Sequence, residues 1–169
     1  HFAELSNDGA GRRAVTAAVT PLVVLTGITA LVLGAVTPAS GTGLEKVTLE
    51  RSLATSFAHL YVLQTQELHR PAITEAQLTT HATCDKGGSN VDDRGPGNDW
   101  RCVVTWRLPG ATATGSANYQ LDVTADGRYV ADGDGPKEVN GSFQLRSPTG
   151  DAPNPLWQFD GHVDLLSHI

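Results

Sequence analysis

The sequence predicts an α+β chain: one N-terminal transmembrane helix, then an amphipathic helix packed on an antiparallel sheet of about five strands. Three observations predict it. Residues 14–44 carry no charge, a stretch of helical period begins near Thr48, and beyond Leu78 apolar residues recur at every second position. The 169 residues leave room for an anchor and one domain of ordinary size. With 12 basic and 18 acidic residues the net charge is −6, which argues against nucleic acid as a partner. There is no Met, so the sequence as it stands is not expected to begin at its initiator.

The apolar heart of the first segment is VTAAVTPLVVLTGITALVLGAV, residues 15–36. About twenty such residues span a bilayer core. Pro21 falls in the first two turns, where a helix tolerates it, and Pro38, Gly41 and Gly43 close the run. A cleavable signal peptide is the competing reading, with Arg12 and Arg13 as its basic region and Thr37-Pro38-Ala39 as its cleavage site. The run exceeds the length of a signal-peptide core, which favours an uncleaved anchor. Arg12 and Arg13 abut the helix start, so the positive-inside rule places the N-terminus in the cytoplasm. The expected layout is a cytoplasmic segment 1–13, a transmembrane helix 14–37, a linker 38–47 and an extracytoplasmic domain 48–169. Within the anchor, Thr26, Ala30 and Gly34, with Gly27 beside them, form a stripe of small residues that lets another helix approach closely.

In the domain, Thr48 is the expected N-cap, with Glu50 in the first turn. Leu49, Leu53, Phe57, Leu60, Tyr61, Leu63 and Leu68 share one side of the wheel, Arg70 sits in the last turn and Pro71 stops the helix. Thr74-x-x-Gln77 has capping-box form. The period then changes to two. Trp100, Cys102, Val104, Trp106 and Leu108 alternate with Arg101, Val103, Thr105 and Arg107, and Tyr119, Leu121 and Val123 form the next strand. Asp126-Gly127 signals a tight turn into Tyr129, Val130 and Ala131. Val139, Phe143 and Leu145, then Trp157, Phe159 and Val163, suggest two more strands, with Pro153 and Pro155 restricting the last to a sheet edge. The three Trp residues are expected in the core.

Cys84 and Cys102 are the whole thiol inventory. An even count in a small domain beyond a membrane segment reads as a disulfide, which would tie the first strand to the second on the oxidising side. The run WRCVVTWRLPGATATGSANYQLDVTADGRYV, with its strand Cys, polar turn, Tyr-x-Leu-x-Val and Gly-containing hairpin, resembles actinobacterial membrane-anchored, one-disulfide extracytoplasmic domains of unknown function. The resemblance covers about a fifth of the chain. It implies fold class and compartment and no catalysis.

The loop CDKGGSNVDDRGPGNDWRC offers Asp85, Asn90, Asp92, Asp93 and Asp99, oxygen ligands of the kind Ca²⁺ takes. Their order does not fit an EF-hand, and a solvated loop closed by the disulfide is the plainer expectation. Asp132, Asp134 and Gly135 look EF-like, but Val130 and Gly141 stand where the anchoring carboxylates belong. No histidine pair has zinc-helix spacing, and neither G-x-S-x-G nor GxGxxG occurs. No catalytic residue, metal or cofactor is therefore expected. The expected role is a non-catalytic accessory or assembly subunit of a larger inner-membrane complex, with integral membrane subunits and the lipid bilayer as partners and respiratory assemblies among the candidates. The alternative is a free-standing anchored module that binds a small ligand, an ion or a cell-envelope component.

Overall fold

The computed structural model describes residues 43–165, all within the compact unit Val36–Ile169. The expected cytoplasmic segment, the anchor and its stripe of Thr26, Gly27, Ala30 and Gly34 lie outside the described residues. Among those described, no helix is long and apolar enough to cross a membrane.

Helix α1 spans Lys46–Glu67 and a single 3₁₀ turn spans Glu75–Gln77. Seven strands follow: β1 Thr79–Asp85, β2 Gly97–Arg107, β3 Gly115–Val123, β4 Arg128–Gly133, β5 Gln144–Ser147, β6 Gly150–Pro153 and β7 Gln158–His162. Five of them form an antiparallel sheet in the order β1-β2-β3-β4-β7, while β5 and β6 make a separate hairpin. The architecture is therefore α+β, with one helix packed on a five-stranded antiparallel sheet.

The boundaries of α1 differ from expectation at both ends. Glu45 occupies the N-cap position, and Thr48 is already helical: its amide and its hydroxyl both donate to the Glu45 carbonyl, at 3.0 and 2.7 Å. A Thr hydroxyl that bonds back to the chain has left the capping role. At the other end the helix stops before Arg70. His69 takes φ 51°, its amide donates to Gln66 O, and the Arg70 amide reaches back to Thr65 O at 2.9 Å. That pattern is a Schellman motif with His69 in the left-handed position usually held by Gly. In the 3₁₀ turn, Gln77 Oε1 accepts from the Thr74 amide at 2.8 Å, which completes the capping box.

Leu49, Leu53, Phe57 and Tyr61 bury the inner face of α1 against Trp100, Val104, Trp106, Tyr119, Leu121 and Phe159. Phe57 stands 5.0 Å from Trp106 and 6.3 Å from Tyr119, and Tyr119 meets Phe159 edge-on at 5.4 Å. Contacts of this geometry add to simple area burial. Leu63 is 37% exposed because it falls on the helix flank beyond this stripe. Leu108 lies past the end of β2 and is also exposed.

The helix reaches both free edges of the sheet. At β1 the Cys84 amide donates to Glu50 Oε1 at 2.8 Å; at β7 Ser52 Oγ donates to the His162 carbonyl at 2.8 Å. The sheet therefore curls around α1. Its other face carries the exposed Arg101, Val103, Asn118, Gln120, Asp132 and Gln158, with Thr105 half-buried among them.

Val139 and Phe143 fall outside any strand, and Leu145 joins the detached hairpin. The chain turns out of the sheet after β4 because the amides of Val139, Asn140 and Gly141 all converge on the Pro136 carbonyl. A buried amide network holds this excursion. Gln64 Nε2 donates to Val139 O and Asn154 Oδ1, at 2.7 and 2.8 Å. Asn154 Nδ2 donates to Val139 O and Ser142 O, and its Oδ1 accepts from the Leu156 amide.

Candidate functional site

Cys84 and Cys102 face each other in the β1–β2 register and form a disulfide, with Cα atoms 4.1 Å apart. It closes the acidic loop, whose carboxylates are already engaged. Asp93 Oδ2 pairs with Lys46 Nζ at 2.9 Å and its Oδ1 accepts from the Lys86 amide. The Lys46 hydrogen bond, helped by the Lys86 amide, holds the Asp93 carboxyl below its usual range. Asp85 caps the Gly87 amide, and Lys86 reaches Asp99 and lies over the Trp100 ring. The loop is a folded strap across the start of α1. Among the described residues no group of three His, Cys, Asp or Glu is placed to hold a metal.

A concave feature runs between α1 and β7. Its geometry follows from the hydrogen-bond parity of an antiparallel ladder, in which alternate residues turn both backbone groups toward one neighbour. Gly133 N donates to Trp157 O, and Val163 N donates to Gly127 O. The odd-numbered residues of β7 therefore bond to β4, and Gln158, Asp160 and His162 turn their amides and carbonyls outward. Of these outward groups, the His162 carbonyl is engaged by Ser52.

Beside this edge lie two adjoining hollows. One, of about 370 Å³, is lined by Thr55, Ser56, His59, Leu60, Glu75, Phe159 and Asp160; its neighbour, of about 310 Å³, shares Thr55 and Ser56 and runs to Ser52 and His162. The shared residues make one groove along the helix. Its floor is apolar at Phe159 and Leu60, and its helix wall carries hydroxyls. The Tyr129 phenol lies 3.2 Å from both Ser52 Oγ and Ser56 Oγ, which locks the helix over β4. Burial pushes that phenol's pKa up, against the opposing hydrogen bonds from Ser52 and Ser56. Gly161 permits this arrangement, because a Cβ there would run into the Tyr129 ring. At the rim, His59 Nδ1 and Glu75 Oε1 meet at 2.7 Å.

Charge is uneven along this edge. On the open face Asp122, Val130 and Asp160 stand in one row across β3, β4 and β7, so the row reaching the edge ends in a carboxylate. No described cation pairs with Asp160.

Further hollows lie on the open face at Asp122, Arg128 and Asp160, between α1 and β1 at Arg51, Ala54 and Ala82, and at the C-terminal end of α1, where a cleft of about 400 Å³ is lined by Tyr61, Arg70, Pro71, Ile73, Leu108 and Pro109 among others. Of the three Trp residues, Trp100 and Trp106 are core, as expected. Trp157 is 42% exposed and meets the exposed Phe143 edge-on at 6.0 Å. It escapes the core because it precedes β7, in the turn that the Asn154 network holds outward. Arg101 and Arg107 lie on the exposed face. The groove itself was not foreseen. Its available signals were the hydroxyl-rich patch Ser52, Thr55 and Ser56 on a helix flank and the lone Gly161 inside a short strand.

No protein-family model, curated protein or solved structure matches this chain.

Proposed function

We propose that this chain is a non-catalytic accessory subunit of a larger inner-membrane complex, a respiratory assembly among the candidates. An N-terminal helix would anchor it, and its disulfide-bonded domain would dock on a partner subunit outside the cytoplasm. The observation that carries the reading is the α1–β7 groove: a strand edge with outward backbone groups beside an apolar floor, features suited to holding a protein segment. Two further points support it. The disulfide fits an oxidising compartment, and the uncharged run 14–44 fits an anchor.

The test is gentle solubilisation of native membranes, affinity purification on this chain and mass spectrometry. Recovery of a defined set of membrane subunits in fixed stoichiometry is expected. Recovery of the chain alone would end the accessory-subunit reading. A second reading, a free-standing binding module, draws on the cleft of about 400 Å³ at Tyr61, Ile73 and Leu108, which falls in the size range of small-molecule sites. That reading expects the chain alone, with a small apolar ligand retained.

A further inference from the structure

We infer that the groove receives its partner by strand addition: an extended segment of the partner pairs with the outer edge of β7 as a sixth strand, placing a Lys or Arg beside Asp160. The inference rests on the docking reading above and adds what the partner must look like.

Three observations select this occupant. First, the outward amides of Asp160 and His162 and the outward carbonyls of Gln158 and Asp160 repeat at two-residue spacing, which matches an extended backbone and no helix. Second, the two edges of the sheet differ. At β1 the outward Cys84 amide is taken by Glu50 and α1 packs more closely than at β7, although a hollow of about 330 Å³, with Arg51 and His81 in its lining, lies between helix and strand there too. At β7 the bond from Ser52 closes only the His162 end, and the groove lies open beside Phe159 and Asp160. Third, the charge pattern sets the sequence. The row Asp122, Val130, Asp160 continues onto a sixth strand at the position facing Asp160, where a basic side chain is favoured and an acidic one repelled. Alternate residues of the incoming strand would point inward over Phe159 and Leu60, where apolar side chains fit. The same row argues against a second copy of this chain: two β7 edges paired about Asp160 would set carboxylate against carboxylate.

The experiment uses the full chain in lipid nanodiscs and three synthetic peptides. One alternates Val and Lys, one alternates Val and Glu, and the third is the Val/Lys peptide N-methylated on every second amide. In the free chain the Asp160 amide should exchange with deuterium at least about a hundredfold faster than those of Phe159 and Gly161. The Val/Lys peptide should slow exchange at Asp160 and His162, and N-methylation in the register facing β7 should weaken binding by about tenfold or more. Asp160→Lys should invert the preference toward the Val/Glu peptide. Four results would overturn the inference: an Asp160 amide already protected in the free chain, no binding of the Val/Lys peptide at millimolar concentration, equal binding of the N-methylated peptide, or a concentration-dependent β7–β7 dimer. Any of these, with membrane subunits still co-purifying, would remove strand addition and leave the docking reading intact. Loss of co-purification as well would remove both.

Discussion

Reducing the disulfide should destabilise the domain by an amount set by its loop. Cys84 and Cys102 are 18 residues apart in sequence and directly opposed in the β1–β2 register. Both side chains are buried, so reduction leaves two thiols in place and opens no cavity. The flanking ladder and the Glu50–Cys84 hydrogen bond still hold the register in the folded state. The effect therefore falls mainly on the unfolded chain, which regains the freedom of that loop. The chain-entropy relation gives about 3 kcal/mol at 25 °C for such a loop. Against a net stability of about 5–15 kcal/mol, this is a large share. With a urea dependence of about 1–3 kcal/mol per molar, the midpoint should fall by roughly 1–3 M. The assay is urea unfolding of the full chain with and without a phosphine reductant, followed by fluorescence of the buried Trp100 and Trp106. A midpoint shift under about 0.3 M would refute the reasoning, because the loop would then be constrained in the unfolded state without the bond.

Three further outcomes follow from the same fold. Asn154→Ala strips partners from Gln64 Nε2, Ser142 O and the Leu156 amide, and should cost about 2–4 kcal/mol in calorimetric unfolding. His69→Gly relieves a left-handed conformation and should stabilise by about 1 kcal/mol in the urea assay; a loss of stability would contradict the Schellman geometry. Asp93 and Asp126 both have folded pKa values held below the ordinary carboxylate range, Asp93 by the Lys46 hydrogen bond and Asp126 by that of Thr124. A depressed carboxylate contributes stability above its unfolded pKa and loses it as pH falls through the folded one. Stability should therefore hold from neutrality to about pH 5 and decline below about pH 4, and Asp93→Asn should flatten that decline in urea midpoints taken against pH.

The sheet was legible where burial is one-sided. In β2 and β3 every second residue is apolar and lands on the helix side, so period two located the strands, and the Asp126-Gly127 turn joins β3 to β4 as its sequence suggests. The final strand is an edge, as expected, but the two prolines do not make it one: Pro153 ends β6 and Pro155 lies in the turn before β7. The disulfide could be read from two cysteines and a compartment argument. The excursion after β4 could not. Phe143 and Trp157 have strand-like composition, yet their placement is decided by an amide network that includes Gln64, far away on α1, as well as the nearby Asn154. The helix ends failed for a related reason: Thr48 and His69 are set by backbone bonding that their residue types do not favour. The groove depends on which strand stays unpaired and on Tyr129 lying across Gly161, facts of topology that no local pattern encodes.

The most direct test of the docking account is site-specific photocrosslinking in the native membrane. A benzophenone side chain would be placed at Thr55, in the groove, and separately at Ser116, on the open face. The account predicts one discrete adduct with a membrane subunit from Thr55 and none from Ser116. No adduct from Thr55, or the same adducts from both positions, would contradict it.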